Sequence, residues 1–281
     1  MAENVTNLIK PEVYAGIVEE KIKGKVILSN WADECGVLTG NVGETVIFPK
    51  WNSIGKATEL KKGDGINAEE LGQNADCKAT IKQMAAPGVL VYDIDNLTAL
   101  GDAVEEGARQ QGVSLARGKD TDLMAECLTS NLKVKTASKT AITSEELNKG
   151  LQMFGDEQNI DDFHGILVNS LVASGMYSMP EFTKADLTYN GVNGNGIVRN
   201  NLIGHFRGIP VYMSDFNTLD NGECITLIVK KHSLGKMPKR GVFTEFDREA
   251  KFKRTVIYSD EIYAVKLIND EGVIVLRNTI A

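Results

Sequence analysis

The sequence predicts an α+β protein, and three observations carry that prediction. A helical period runs from Leu97 to about Asn131. Runs rich in β-branched and aromatic residues lie on both sides of it. Between Gly43 and Asp93, two such runs flank a polar, glycine-rich stretch. At 281 residues the chain has the length for one large or two moderate domains and ample core. Its apolar fraction of 42% and charged fraction of 25% are those of a globular protein, with nothing that argues for disorder.

Residues 1–43 read as an arm with short helical pieces. Pro11 is placed to open a helix over EVYAGIVEEKIK, with Val13, Ile17 and Val18 on one face and Gly24 at its end. A second piece, VILSNWADECG, closes on Gly36. In residues 44–92, ETVIFPKW and DCKATIKQM read as strands on either side of a loop too polar to fold onto a core, so a long β-hairpin should project from the body.

After Asp93 the period becomes helical. Asp93, Asp95 or Asn96 can cap, and Leu97, Leu100, Val104, Ala108, Leu115, Met124, Cys127 and Leu128 form the apolar stripe. A continuous helix to Asn131 would be about 50 Å long at 1.5 Å per residue. Gly107, Gly112 and Gly118 each cost about 1 kcal/mol relative to Ala, so a bend or break near Gly118 is expected, and they allow another backbone to approach.

Residues 133–236 read as an α+β domain. Thr143 and Glu146 have the spacing of a capping box at the start of a helix. FHGILVN is a strand and SLVASGMYSM the helix after it; GHFRGIPVYMSD and ECITLIVKK are each read as a further strand. The final stretch, 237–281, is strand and turn, namely VFTEF, KRTVIYSD, EIYAVKLI and VIVLRNT, with Asp270-Glu271-Gly272 as a hairpin turn. With no helix of their own, these strands should pack on the long helix, so residues 93–132 and 237–281 form one discontinuous domain.

The chemistry expected of a catalytic or metal site is sparse. Cys35, Cys77, Cys127 and Cys224 lack CxxC spacing, which fits free thiols in a reducing compartment. No signal-peptide pattern opens the chain and no apolar run is long enough to span a bilayer. The three histidines, His164, His205 and His232, do not share ligand spacing. Asp156, Glu157, Asp161, Asp162 and His164 lack the alternation of a calcium loop. GVNGNG, 191–196, is neither GxGxxG nor followed by Lys-Ser/Thr, so it reads as a turn. There is no GxSxG. His205 lacks a nearby orienting carboxylate, so Gly204 and Gly208 read as a bulge or tight crossing and Pro210 as a strand start or edge. The formal charge of −7 argues against a protein that grips phosphates. The basic run KRGVFTEFDREAKFKR, 239–254, reads as a solvated strand face.

The order of parts, an arm, a projecting hairpin, a long helix, an inserted α+β domain and a return to strands, resembles the major capsid protein of tailed bacteriophages, a fold shared with encapsulins. GETVIFPKW through GINAEELGQNADCKATIKQ looks like that family's extended loop. NLTALGDAVEEGARQQGVSLARGKDTDLMAECL looks like its spine helix. GHFRGIPVYMSD resembles a strand of its axial domain, and VFTEFDREAKFKRTVIYSDEIYAVKLINDEGVIVLRN the closing strands of its peripheral domain.

The resemblance implies an arm (1–43), an extended loop (44–92), a peripheral domain with spine helix (93–132 plus 237–281) and an axial domain (133–236). It also implies a structural subunit without catalysis or cofactor, forming hexamers and pentamers of an icosahedral shell around double-stranded DNA in a virion assembled in the bacterial cytoplasm. Implied partners are other copies, a separate scaffolding protein, a portal and decoration proteins, with no sequence-specific DNA contact and no membrane. Assembly contacts are expected at Trp51, Lys56, Lys61, Lys62, Glu69, Glu70, His205 and Arg207. Some family members crosslink a loop lysine to a neighbour's asparagine; Lys56, Lys61 and Lys62 lie in that loop. An encapsulin-like compartment and an intracellular α+β enzyme stand as alternatives.

Overall fold

The computed structural model describes residues 11–23, 26–38, 45–48, 77–98, 103–156, 158–183 and 201–280, and singly residues 50, 57, 59, 65, 68 and 72. In chain order the helices are α1 (Pro11–Lys23), α2 (Leu28–Trp31), α3 (Asp93–Thr98), α4 (Ala103–Leu128), α5 (Ser144–Gln152), α6 (Ser170–Met176) and α7 (Pro180–Thr183). The strands before α4 are β1 (Asp33–Glu34), β2 (Thr45–Ile47), β3 (Lys78–Thr80), β4 (Lys82–Ala85) and β5 (Val89–Tyr92). Those after it are β6 (Leu132–Lys135), β7 (Phe163–Val168), β8 (Leu202–Phe206), β9 (Ile209–Met213), β10 (Leu219–Asp220), β11 (Glu223–Cys224), β12 (Thr226–Lys230), β13 (Leu234–Glu249), β14 (Arg254–Leu267) and β15 (Val273–Arg277).

Among the described residues, one sheet runs β6-β15-β12-β7-β9-β8 and is buried on both faces. Ile166, Val168, Ile228, Ile274 and Leu276 pack with Leu147 and Leu151 of α5 and Val172 and Met176 of α6. Leu167, Leu227, Val229, Val273 and Val275 pack with Leu123, Met124 and Cys127 of α4 and with Trp31. Successive residues of a strand point to opposite faces, which is why FHGILV and TLIVK are apolar without alternation. The capping box before α5 is present, with the Thr143 hydroxyl accepting from the Glu146 N–H and the Glu146 carboxylate accepting from the Thr143 N–H at 2.8 Å.

The second sheet is dominated by β13 and β14, which pair antiparallel from Leu234↔Leu267 to Glu249↔Arg254. VFTEF is part of β13, and KRTVIYSD and EIYAVKLI form the single strand β14. VIVLRNT does not join them. Its residues form β15, which pairs with β12 and β6 in the other sheet because both its faces are apolar and need cover.

Helix α4 is unbroken across Gly107, Gly112 and Gly118, so of the two expectations, a continuous helix or one bent or broken near Gly118, no break is present. These glycines sit where other elements press on the helix. A Cβ at Gly112 would lie 2.9 Å from the Val18 carbonyl of α1, so the α1 backbone packs directly on the helix there. The buried face of α1 is Tyr14, Val18 and Ile22, one residue every helical turn; Val13, expected on that face, is 54% exposed. Helix α2 is one turn long, and β1 follows it before Gly36, which takes a φ of +121°.

GHFRGIPVYMSD is a hairpin and not one strand. Arg207 and Gly208 have φ of +50° and +86°, which turns β8 back onto β9, with a register shift between Leu202 and Gly204. Strand β8 is the sheet edge, and Pro210 lies on β9 just before its paired segment with β7 begins at Val211, so its missing N–H leaves no gap. Among the described residues no helix is long and apolar enough to cross a membrane. The motif GVNGNG lies outside them.

Candidate assembly interface

The two ends of the expected hairpin are rooted in the body, while most of residues 49–76 lie outside the described residues. Strands β2 and β3 pair antiparallel, Thr45↔Thr80 to Ile47↔Lys78, and the Phe48 N–H donates to the Cys77 carbonyl at 2.8 Å. The Phe48 ring is fully buried among Cys77, Ala79, Met237 and Ala264, which anchors the root on the second sheet. Lys50 lies 3.3 Å from Asp270. Trp51, Lys56, Lys61, Lys62, Glu69 and Glu70 lie outside the described residues. Of the residues described between 51 and 76, Ala57, Glu59, Gly65 and Ala68 are exposed and Gly72 is half-buried.

The face of the second sheet turned away from α4 carries a band of four exposed rings and one exposed leucine. Phe243, Tyr258, Leu90, Tyr92 and Phe252 are between 38% and 54% exposed. The register places them together, since Phe243 is opposite Asp260, Tyr258 opposite Glu245, Leu90 opposite Val256 and Tyr92 opposite Arg254. A patch of this kind is a candidate contact surface. The basic run 239–254 forms part of it, and its arginines are paired. Arg240 is held by Asp260 and covers Phe243 at 4.7 Å. Arg248 grips Asp93 through two 2.6 Å bonds, which hold the Asp93 carboxyl below its ordinary value. Arg254 meets Glu249 at 2.7 Å and lies over Phe252 and Tyr92 at 4.8 and 5.9 Å.

The opposite face of this sheet holds a row of polar ties to α4. Gln111, 2% exposed, accepts from the Tyr14 and Ser259 hydroxyls at 2.9 Å each and donates to the Pro87 and Ile257 carbonyls at 3.0 and 2.9 Å. Further along, Lys119 meets Glu261 at 2.5 Å, and Tyr263 donates to Asp122 at 2.9 Å. Asp120 accepts from the Ile27 and Ser29 N–H groups at 2.9 and 3.0 Å, and so fixes the start of α2.

Burial pushes the Glu261 carboxyl above its ordinary value near 4.5, against the pull of Lys119. The native state therefore holds that proton more tightly than the unfolded chain does, and the stability Glu261 contributes falls as pH rises from that ordinary value through the folded-state one. In E261Q the thermal midpoint should accordingly fall less steeply with pH above that point than in the parent protein. Parallel curves in a pH series of melts would contradict this assignment.

His205 sits half-buried on the edge strand β8, opposite Pro210, and burial pushes its pKa down. Arg207, exposed at the turn, donates from Nε to Asn148 Oδ1 of α5 at 2.7 Å. His164 stacks on Trp31 with ring centres 6.1 Å apart, and His232 pairs with Asp33 at 2.6 Å. Among the described residues no three His, Cys, Asp or Glu side chains are grouped to hold a metal ion, and the cysteines are free thiols. The exposed band and the polar row escaped sequence reading. Gln111, a polar residue within the apolar stripe between Ala108 and Leu115, was the one available signal.

Comparison with known proteins gives a consistent picture. A family model described as phage capsid protein matches residues 90–276. The major capsid protein of Staphylococcus phage phiMR11 is 28% identical over 269 residues, covering 94% of this chain and 92% of that one. The capsid structure of cyanophage P-SCSP1u superposes with a TM-score of 0.62 at 14% identity, covering 89% of this chain and 87% of that chain. A virus-like particle from Pyrococcus furiosus gives 0.61 at 12% identity, covering 96% and 100%.

Proposed function

Because the chain belongs to the phage capsid protein family, we propose that it is the major capsid subunit, whose copies form hexamers and pentamers of an icosahedral shell around double-stranded DNA. Its role in a phage capsid shell, and hence in the virion, follows from the family. The arrangement of copies and the enclosed DNA are the proposal. The observation that carries it is the rooted hairpin. Phe48 and Cys77 hold its base in the body, while Ala57, Glu59, Gly65 and Ala68 beyond it are exposed. An arm without a core of its own is ordered by lying on a neighbour, and a repeated contact of that heterologous kind closes a ring.

The net charge of −7 supports the reading of a DNA container, because a wall that bound phosphates strongly would resist filling and release. Partners on this reading are other copies, a separate scaffolding protein, a portal and decoration proteins, with assembly in the host cytoplasm. Residues 93–132 with 237–281 act as the peripheral unit and 133–236 as the axial unit, with β15 crossing into the sheet of the latter.

The test is sedimentation and negative-stain microscopy of the chain expressed alone and with its scaffolding protein. Capsomers or shells are expected, and a strictly monomeric chain under every assembly condition would overturn the reading. Particles filled with an enzyme in place of DNA would shift it to an encapsulin-like compartment. Arg207 and His205, at the tip and edge of the β8–β9 hairpin, are proposed to act in assembly. R207A is expected to leave the subunit folded and to lower the yield or alter the size of particles, read by microscopy against circular dichroism.

A further inference from the structure

Between α4, the α2–β1 segment and the helix-facing side of β13 and β14 lies a cavity of about 110 Å³. Its floor is apolar, formed by Leu123, Pro238 and Val265, and its polar lining includes Lys119, Lys236 and Glu34. That volume is well below the ~300 Å³ at which small-molecule pockets begin, and suits one side chain.

The two ammonium groups are partly accessible, with 24% and 26% of their side chains exposed. Glu261 anchors Lys119 from behind, and the Ser29 carbonyl anchors Lys236 at 2.9 Å. An ammonium group has three donors, so both lysines keep donors to offer. Glu34 stands 3.5 Å from Lys236 with 70% of its side chain exposed, a loose pairing of the kind worth little in water. It shows which chemistry the cavity mouth accepts, a carboxylate, and it is free to swing away.

The geometry points to a socket for an acidic side chain of a second copy of this chain, seated between Lys119 and Lys236 in place of Glu34. The inference rests on the shell reading. Charge complementarity selects the occupant, because the chain carries 38 acidic residues against 31 basic ones and its own surface is therefore a ready source of carboxylates.

The experiment assembles particles from a mixture of nitrogen-15-labelled and unlabelled subunits. A water-soluble carbodiimide then joins touching ammonium and carboxylate groups into amides, and digested peptides are read by mass spectrometry. Mixed-isotope crosslinked peptides containing Lys236 or Lys119 are expected. K236Q should lose those at Lys236, and E34Q, which keeps both lysines, should increase them. Particles that yield only the same-isotope pairs Lys236–Glu34 and Lys119–Glu261, or a crosslink from these lysines to a different protein, overturn the socket while the shell reading stands. A chain that never assembles overturns both.

Discussion

Deleting residues 52–74 is expected to leave a subunit that folds normally and forms no particles. The base of the hairpin survives in such a variant, since β2, Phe48, Cys77 and β3 are all retained. Residues 49–51 and 75–76 then bridge Phe48 to Cys77, a length ordinary for a hairpin loop. The removed stretch contains Lys56, Lys61, Lys62, Glu69 and Glu70. Shortening a loop changes its closure entropy by only about 0.6 kcal/mol per halving, so the thermal midpoint should move by no more than a few degrees. Sedimentation should show subunits only. Normal particles from this variant would refute the role of the arm.

The largest effect on stability is expected from Q111L. Leucine is similar to glutamine in bulk but one bond shorter, and it offers no polar atom. The Tyr14 hydroxyl and the Pro87 and Ile257 carbonyls would each lose the Gln111 bond, while Ser259 keeps Thr244 at 3.0 Å. A buried polar group left without a partner costs about 1–3 kcal/mol, so a loss of at least about 3 kcal/mol is expected for the three. At about 2–4 °C per kcal/mol for a chain of this class, the midpoint should fall by at least about 6 °C. Y14F, which removes one hydroxyl and its need together, should cost much less. Equal midpoints for Q111L and the parent protein would show that the Gln111 node does not hold α1 and α4 to the sheet.

The elements that sequence located well are those whose signal is local. The Thr143 and Glu146 capping box depends on two side chains three residues apart, and the helical stripe through Val104, Ala108, Leu115, Met124 and Cys127 depends on a period that any buried helix must keep. The roots of the hairpin, in ETVIFPKW and DCKATIKQM, were also legible, because β-branched and apolar residues there bound a stretch with nothing to bury. The errors share a different cause. Val13 and Tyr14 both suit a helix, and only the position of α4 decides that Tyr14 is covered. Gly118 weakens an isolated helix, yet Met84 packs on it and α4 runs through.

Sequence nominated the loop and Arg207, the latter within a single expected strand, and missed the exposed side chains on β5, β13 and β14. Phe243 and Phe246 are three residues apart in the same strand-forming run; pairing with Asp260 places one outward, and pairing with Ile257 places the other against Tyr14. By itself the sequence determined the α+β class, the order of elements and the two strands at the root of the expected hairpin, all set by backbone preference and the period of apolar residues. Tertiary structure alone decided which sheet β15 joins, which rings stay exposed and where Lys119 and Lys236 come together. The first and last of these depend on contacts between residues more than a hundred positions apart, and the second on strand pairing, none of which a local pattern encodes.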